Sequence, residues 1–199
     1  MGYKSEPEGA FLSILEECER DVASSARPKY ICKVLDVSDF GDFLVGDDIA
    51  RHLEGCSKVI LFAATLGAGV DALIRKYQVG NMTSALAADA VASAFVEEYC
   101  KEVDLILAEK FEGSYLTWRF SPGYGDFPIE LQDDLIRVTD AYRKIGLGVT
   151  DSHMLSPSKS VTAIIGVSDR EISRERQNCA VCKMADRCAF ARKGAHCGF

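Results

Sequence analysis

Apolar residues recur along GAFLSILEECERDV at Phe11, Leu12, Ile14, Leu15, Cys18 and Val22, the spacing of one helical face. KYICKVLDV then turns to an extended, β-branched character. DDIARHLEGC opens on acids and closes at a glycine, which predicts a short capped helix. SKVILFAATLG reads as a buried strand running into glycines, and VDALIRKYQ as the helix after it. From Met82 to Phe111 there is no proline or glycine, and Ala, Leu and Glu dominate, so one long helix is predicted at about 82–111. Its small residues (Ala85, Ala87, Ala88, Ala90, Ala92, Ser93, Ala94) suit close packing against a sheet. SYLTWRF reads as a strand, WRFSPGYGDFP as the loop it enters, and IELQDDLIRVTDAYRKIG as one helix with acids early, bases late and Gly146 as its stop. SVTAIIGVS is a final strand. Strands alternate irregularly with helices, which predicts an α+β sheet with helices on one side in place of a doubly wound sheet. From Asp169 the chain becomes charged and cysteine-rich, giving a main domain over 1–168 and an appendix over 169–199.

A chain of 199 residues, 48% of them hydrophobic, is long enough to bury a core. The balance of 23 basic and 30 acidic residues gives a net charge of −7, which argues against non-specific binding to nucleic acid or anionic membranes. The longest apolar run, VILFAATLGAGV, is too short to cross a bilayer. MGYKSEPEGA lacks an apolar secretory core and reads as a cytoplasmic start.

Two segments carry candidate chemistry in the main domain. LGAGVDA spells G-x-G-x-x-A between a strand and a helix, the pattern of a pyrophosphate-binding turn. A dinucleotide site also needs a ribose-binding acid after a second strand, and a long helix stands there instead, so the glycines read as strand end and helix cap. WRFSPGYGDFP is richer. Arg119 offers a planar fork for a carboxylate or phosphate. Pro122 restrains Ser121 to extended backbone, and Gly123 and Gly125 permit positive φ and leave amides for a ligand. Tyr124 adds an aromatic face with a polar tip. This chemistry fits a small-anion or zwitterion site, and equally a packed β-to-α connection with Arg119 in a salt bridge.

RFSPGYGDFPIELQ together with IGLGVTDSHMLSPSKSVTAIIG resembles the activation domain of cobalamin-dependent methionine synthase, in particular its short free-standing relatives, over about Asp47 to Gly166. The resemblance implies a curved, largely antiparallel sheet with helices packed around it. It also implies S-adenosylmethionine on the R-x-x-x-G-Y element. Arg119 would bind the methionine carboxylate, the main chain around Ser121 and Gly123 would hold the amino-acid and adenosine portions, and Tyr124 would pack or hydrogen-bond there. The family's acid near the sulfonium is matched by Ser93, so Glu97, one turn on, is the candidate to supply that charge or else a surface acid. Ile164 and Ile165 replace a family tyrosine. The implied activity is reactivation: a low-potential donor such as flavodoxin or ferredoxin reduces cob(II)alamin, and S-adenosylmethionine methylates the product. No catalytic nucleophile is required of this chain. Without a cobalamin-ligand motif of its own, it would act in trans on a methionine synthase lacking this domain, the partner carrying the cobalamin. A module for another corrinoid protein is an alternative.

Cys179, Cys182, Cys188 and Cys197 supply four thiolates in the tail, enough for zinc or an iron–sulfur cluster, and the spacing does not separate the two. Two disulfides fit the same residues, and a metal or iron–sulfur redox protein is the competing functional class. Cys18, Cys32, Cys56 and Cys100 read as small buried hydrophobes. His52 reads as a solvated or capping histidine, His153 as a loop residue, and Asp133 and Asp134 as favourable first-turn charges.

Overall fold

The computed structural model describes residues 9–172. Its organising element is β2 (Lys58–Thr65), in which every residue after Lys58 is buried. Ile60, Phe62 and Ala64 pack into one apolar layer, whereas Val59 and Leu61 enter a second and Ala63 a third. A strand covered on both faces has no solvent-facing positions to make polar, which accounts for the unbroken run VILFAA. β1 (Lys29–Asp36) and β6 (Ser160–Ser168) flank it antiparallel, and β6 also pairs with β3 (Tyr115–Leu116), giving the order β1-β2-β6-β3. The sheet is antiparallel throughout, within an α+β fold.

One face is covered by α1 (Ala10–Ser25), α3 (Ala68–Gly80) and α4 (Met82–Lys110), through Val22, Val70, Ala88, Ala92 and Val103 among others. The long helix is capped by Asn81, whose side chain accepts from the amides of Thr83 and Ser84. The other face carries a 3-10 helix at Val37–Phe43, α2 (Asp47–His52), α5 (Leu131–Thr139) and α6 (Ala141–Ile145). The expectation of helices on one side is therefore corrected: burial of β2 on both faces requires a second layer, built here from short elements. Among the described residues no helix is long and apolar enough to cross a membrane.

Three segments depart from the sequence reading. The span read as one helix from Ile129 to Gly146 is divided at Asp140, which takes a left-handed conformation at φ 57°. Aspartate tolerates that region better than most residues, and the Thr139 hydroxyl bonds back to the Leu135 carbonyl at 2.7 Å. A small hairpin, β4 (Gly148–Val149) with β5 (Leu155–Ser156), follows Gly146. SYLTWRF pairs regularly only at Tyr115 and Leu116, and Phe120 makes an isolated bridge to Ile164. Four steps from Leu116 to Phe120 thus oppose three from Val167 to Ile164, a bulge that breaks the alternation of the strand.

The glycines of LGAGVDA serve packing. Gly67 caps α3 at φ 85°, and a Cβ on Gly69 would lie 2.5 Å from the Ser25 carbonyl at the end of α1. Asp71 accepts from the amide and hydroxyl of Ser158, at 2.9 and 2.7 Å. Gly69→Ala is expected to cost about 1–3 kcal/mol by forcing α1 from α3. Urea unfolding of the two proteins measures this, and an unchanged midpoint would mean that α1 shifts freely.

Candidate ligand-binding site

The loop from Thr117 to Phe127 is framed by α2. Helix positions 48 and 52 are one turn apart on the same face, and each grips a different part of the loop. Asp48 accepts from the Asp126 amide at 3.2 Å, while Asp126 accepts from the amides of Asp47 and Asp48, both at 3.0 Å. Asp126 thereby caps α2 from outside the helix, supplying the acceptor its first turn needs. The contact is tight: a Cβ on Gly125 would fall 2.1 Å from Asp48 Oδ2. His52 holds the start of the loop, with Nε2 2.8 Å from the Thr117 hydroxyl, its ring stacked on Phe120 and edge-on to Trp118. Thr117 Oγ1 also accepts from the Gly166 amide at 2.7 Å, which ties the bulge to β6.

His52 is accordingly no solvated histidine. It is 7% exposed, Nδ1 has no hydrogen-bond partner among the described residues, and burial pushes its pKa down to about 4. The sequence reading failed there because α2 is too short to display which face is inward.

Thr117, Trp118 and Phe120 all reach His52, and the bulge turns Arg119 the other way, toward α4. There Nη2 meets Glu97 Oε2 at 3.3 Å and Nε meets Asp104 Oδ2 at 3.2 Å. The guanidinium is mostly covered, at 18% exposure, whereas the two acids are 50% and 41% exposed. Burial raises the Asp104 pKa against the opposing pull of Arg119. Cys100, on the same helix face, is fully buried and its thiol is pushed up to about 12, so it stays protonated beside the arginine. One turn before Glu97, Ser93 Oγ receives Lys159 Nζ at 3.0 Å, and Lys159 pairs with Asp89 at 2.8 Å.

Beyond Arg119 the loop folds on itself. The Tyr124 amide donates to the Ser121 carbonyl at 3.2 Å and the Phe127 amide to the Tyr124 carbonyl at 3.0 Å. Gly123 supplies φ 89°, and its amide, expected to be open to a ligand, donates to the Phe127 carbonyl at 2.8 Å. Pro122 and Phe127 are buried, whereas Gly123 and Tyr124 are exposed.

Residues 40–172 match the family model for the vitamin B12 dependent methionine synthase activation domain, which is two thirds of the chain. The chain belongs to this family. Among solved structures it is similar to the MetH reactivation domain bound to AdoHcy, at 17% identity and a TM-score of 0.53, covering 96% of this chain and 75% of that one. At that identity the likeness shows a shared fold. No curated protein matches the chain in sequence.

Within the family fold, the expected residues Arg119 and Glu97 come together, and Ser121, Gly123 and Tyr124 form the turn that follows. Ser93 carries no charge and its hydroxyl is committed to Lys159. Asp104 was missed, although its place seven residues after Glu97 puts it on the same helix face. The frame residues Asp48, His52, Thr117 and Asp126 were missed because tertiary contacts between segments some seventy residues apart leave no local pattern. The tail cysteines Cys179, Cys182, Cys188 and Cys197 lie outside the described residues, and among the described residues no group of three or more side chains is arranged to hold a metal. Cys18, Cys32, Cys56 and Cys100 are free thiols, each with its pKa raised by burial.

Proposed function

We propose that this chain binds S-adenosylmethionine between α4 and the Thr117–Phe127 loop and reactivates, in trans, a cobalamin-dependent methionine synthase that lacks such a module. The observation that carries the reading is the charge arrangement at Arg119. Glu97 Oε2 meets Nη2 and Asp104 Oδ2 meets Nε, so two carboxylates share one guanidinium. A ligand carboxylate would join the planar fork, and the ligand's cationic centres would have Glu97 and Asp104 beside them. These residues therefore fit a zwitterion that also carries a sulfonium. Exposed Tyr124, at the tip of the closed turn, offers its ring to the nucleoside portion, and Ser121 and Gly123 shape the backbone beneath it.

When bound, S-adenosylmethionine supplies an electrophilic methyl group that the partner's cob(I)alamin accepts, leaving S-adenosylhomocysteine. This chain contributes position: Arg119 fixes one end of the ligand, the α2 frame fixes Arg119, and the methyl is presented to a corrin held by another protein. A cytoplasmic setting and a flavodoxin or ferredoxin as electron source belong to the same reading. So does the division at residue 168. The family match ends at residue 172, before the first tail cysteine, which supports treating the appendix as a separate unit whose thiolates take zinc or an iron–sulfur cluster.

Two linked measurements test this. Calorimetric titration of S-adenosylmethionine into the full chain is expected to give saturable binding. The chain plus a low-potential electron donor is then expected to restore activity to a cob(II)alamin-inactivated synthase that lacks the module. Binding without restoration would sink the assignment to methionine synthase, and absence of binding in the presence of that partner would sink the ligand assignment.

A further inference from the structure

We propose that Asp104 is the residue that makes this site select a methylated, cationic ligand over its neutral demethylated product; the inference rests on the S-adenosylmethionine reading above. One cation and two carboxylates meet at Arg119, so the group carries one net negative charge before any ligand arrives. S-adenosylmethionine carries one carboxylate, one ammonium and one sulfonium, and is net positive. S-adenosylhomocysteine, having lost the sulfonium, is net neutral. A site with a single balanced ion pair would attract both by the same amino-acid contacts. The second acid is what adds a term for the charge that the reaction removes.

Of the two acids, Asp104 is the one placed to act as a fixed charge. It is the less exposed of the two, at 41% against 50%, and it holds Nε on the inner part of the fork. Lys159, the other covered cation on this helix face, is matched by Asp89 and leaves the excess where it is. Cys100, protonated, adds no charge of its own. Once the methyl has left, the same site holds its product less tightly, which favours exchange.

The test compares binding of S-adenosylmethionine, S-adenosylhomocysteine and sinefungin, which carries an amine-bearing carbon in place of the methylated sulfur, to wild type, Asp104→Asn and Asp104→Glu. The wild type is expected to prefer the two cationic ligands by roughly tenfold, a difference that shrinks as salt is raised. Asp104→Asn is expected to weaken both cationic ligands by about fivefold or more while S-adenosylhomocysteine stays within about twofold, and Asp104→Glu to recover the preference. Equal weakening of all three ligands by Asp104→Asn would overturn the proposal and make Asp104 only a support for Arg119. A wild-type preference that is absent or unresponsive to salt would overturn it without any variant. Failure of all three to bind the wild type would sink the ligand reading and this proposal with it, an outcome distinct from binding without discrimination.

Discussion

Replacement of Arg119 by alanine is expected to weaken S-adenosylmethionine binding between about tenfold and a hundredfold, or about 1.5–3 kcal/mol, the range for charge-assisted hydrogen bonds. The effect is that large because the guanidinium is mostly covered, and because its removal leaves Glu97 and Asp104 facing each other and the ligand carboxylate with no cation between them. Folding stability should change by no more than about 1 kcal/mol, since both acids are exposed enough for water to screen them. Arg119→Lys separates charge from shape: a point charge should recover part of the affinity, and the planar fork accounts for the remainder. Calorimetry on the three proteins, with circular dichroism as the fold control, checks this. Affinity within threefold of wild type in Arg119→Ala would move the ligand off this loop.

The second large effect concerns pH. His52 is held neutral in the folded chain, with a pKa near 4 against roughly 6.5 when unfolded. Below pH 6.5 the unfolded chain binds a proton that the native chain refuses, so stability falls as pH falls and levels off below about 4. The full loss is on the order of 3 kcal/mol. Carboxylates add their own pH dependence, and comparison with His52→Gln isolates the histidine. At pH 8 the variant should be the less stable protein, having lost two ring contacts to Trp118 and Phe120 worth about 1 kcal/mol or more. By pH 4 the gap should close or reverse. Urea melts of both proteins from pH 8 to 4 decide it, and two parallel stability curves would show that His52 titrates normally.

The contrast between His52 and Arg119 shows what the sequence could reveal. β2 and α4 were legible because each is long and chemically uniform, and the loop was legible because proline, glycine and arginine are conformational or chemical specialists. The α2 frame was opaque. Nothing in DDIARH says that Asp48, which also pairs with Arg51 within the helix, looks toward a loop that is distant in the chain, since what it accepts from there is a backbone amide, the least distinctive of donors. The break at Asp140 was hidden for a similar reason: TDAYRK has good helix formers on both sides, and one left-handed residue costs too little to leave a compositional trace. Asp104 lay in plain view on the correct helix face, but only the bulge at Thr117 explains why an arginine should turn to meet it.

That bulge also separates two kinds of inheritance. Residues that keep the loop in shape face α2, and residues that touch charge face α4. Substitutions at 97 and 104 can therefore drift without unfolding the loop, and under the proposed ligand assignment exchange of single acids on this helical stripe would change what the site recognises. On that assignment, a lineage carrying this scaffold would have a dial for ligand charge that turns independently of the machinery that holds it.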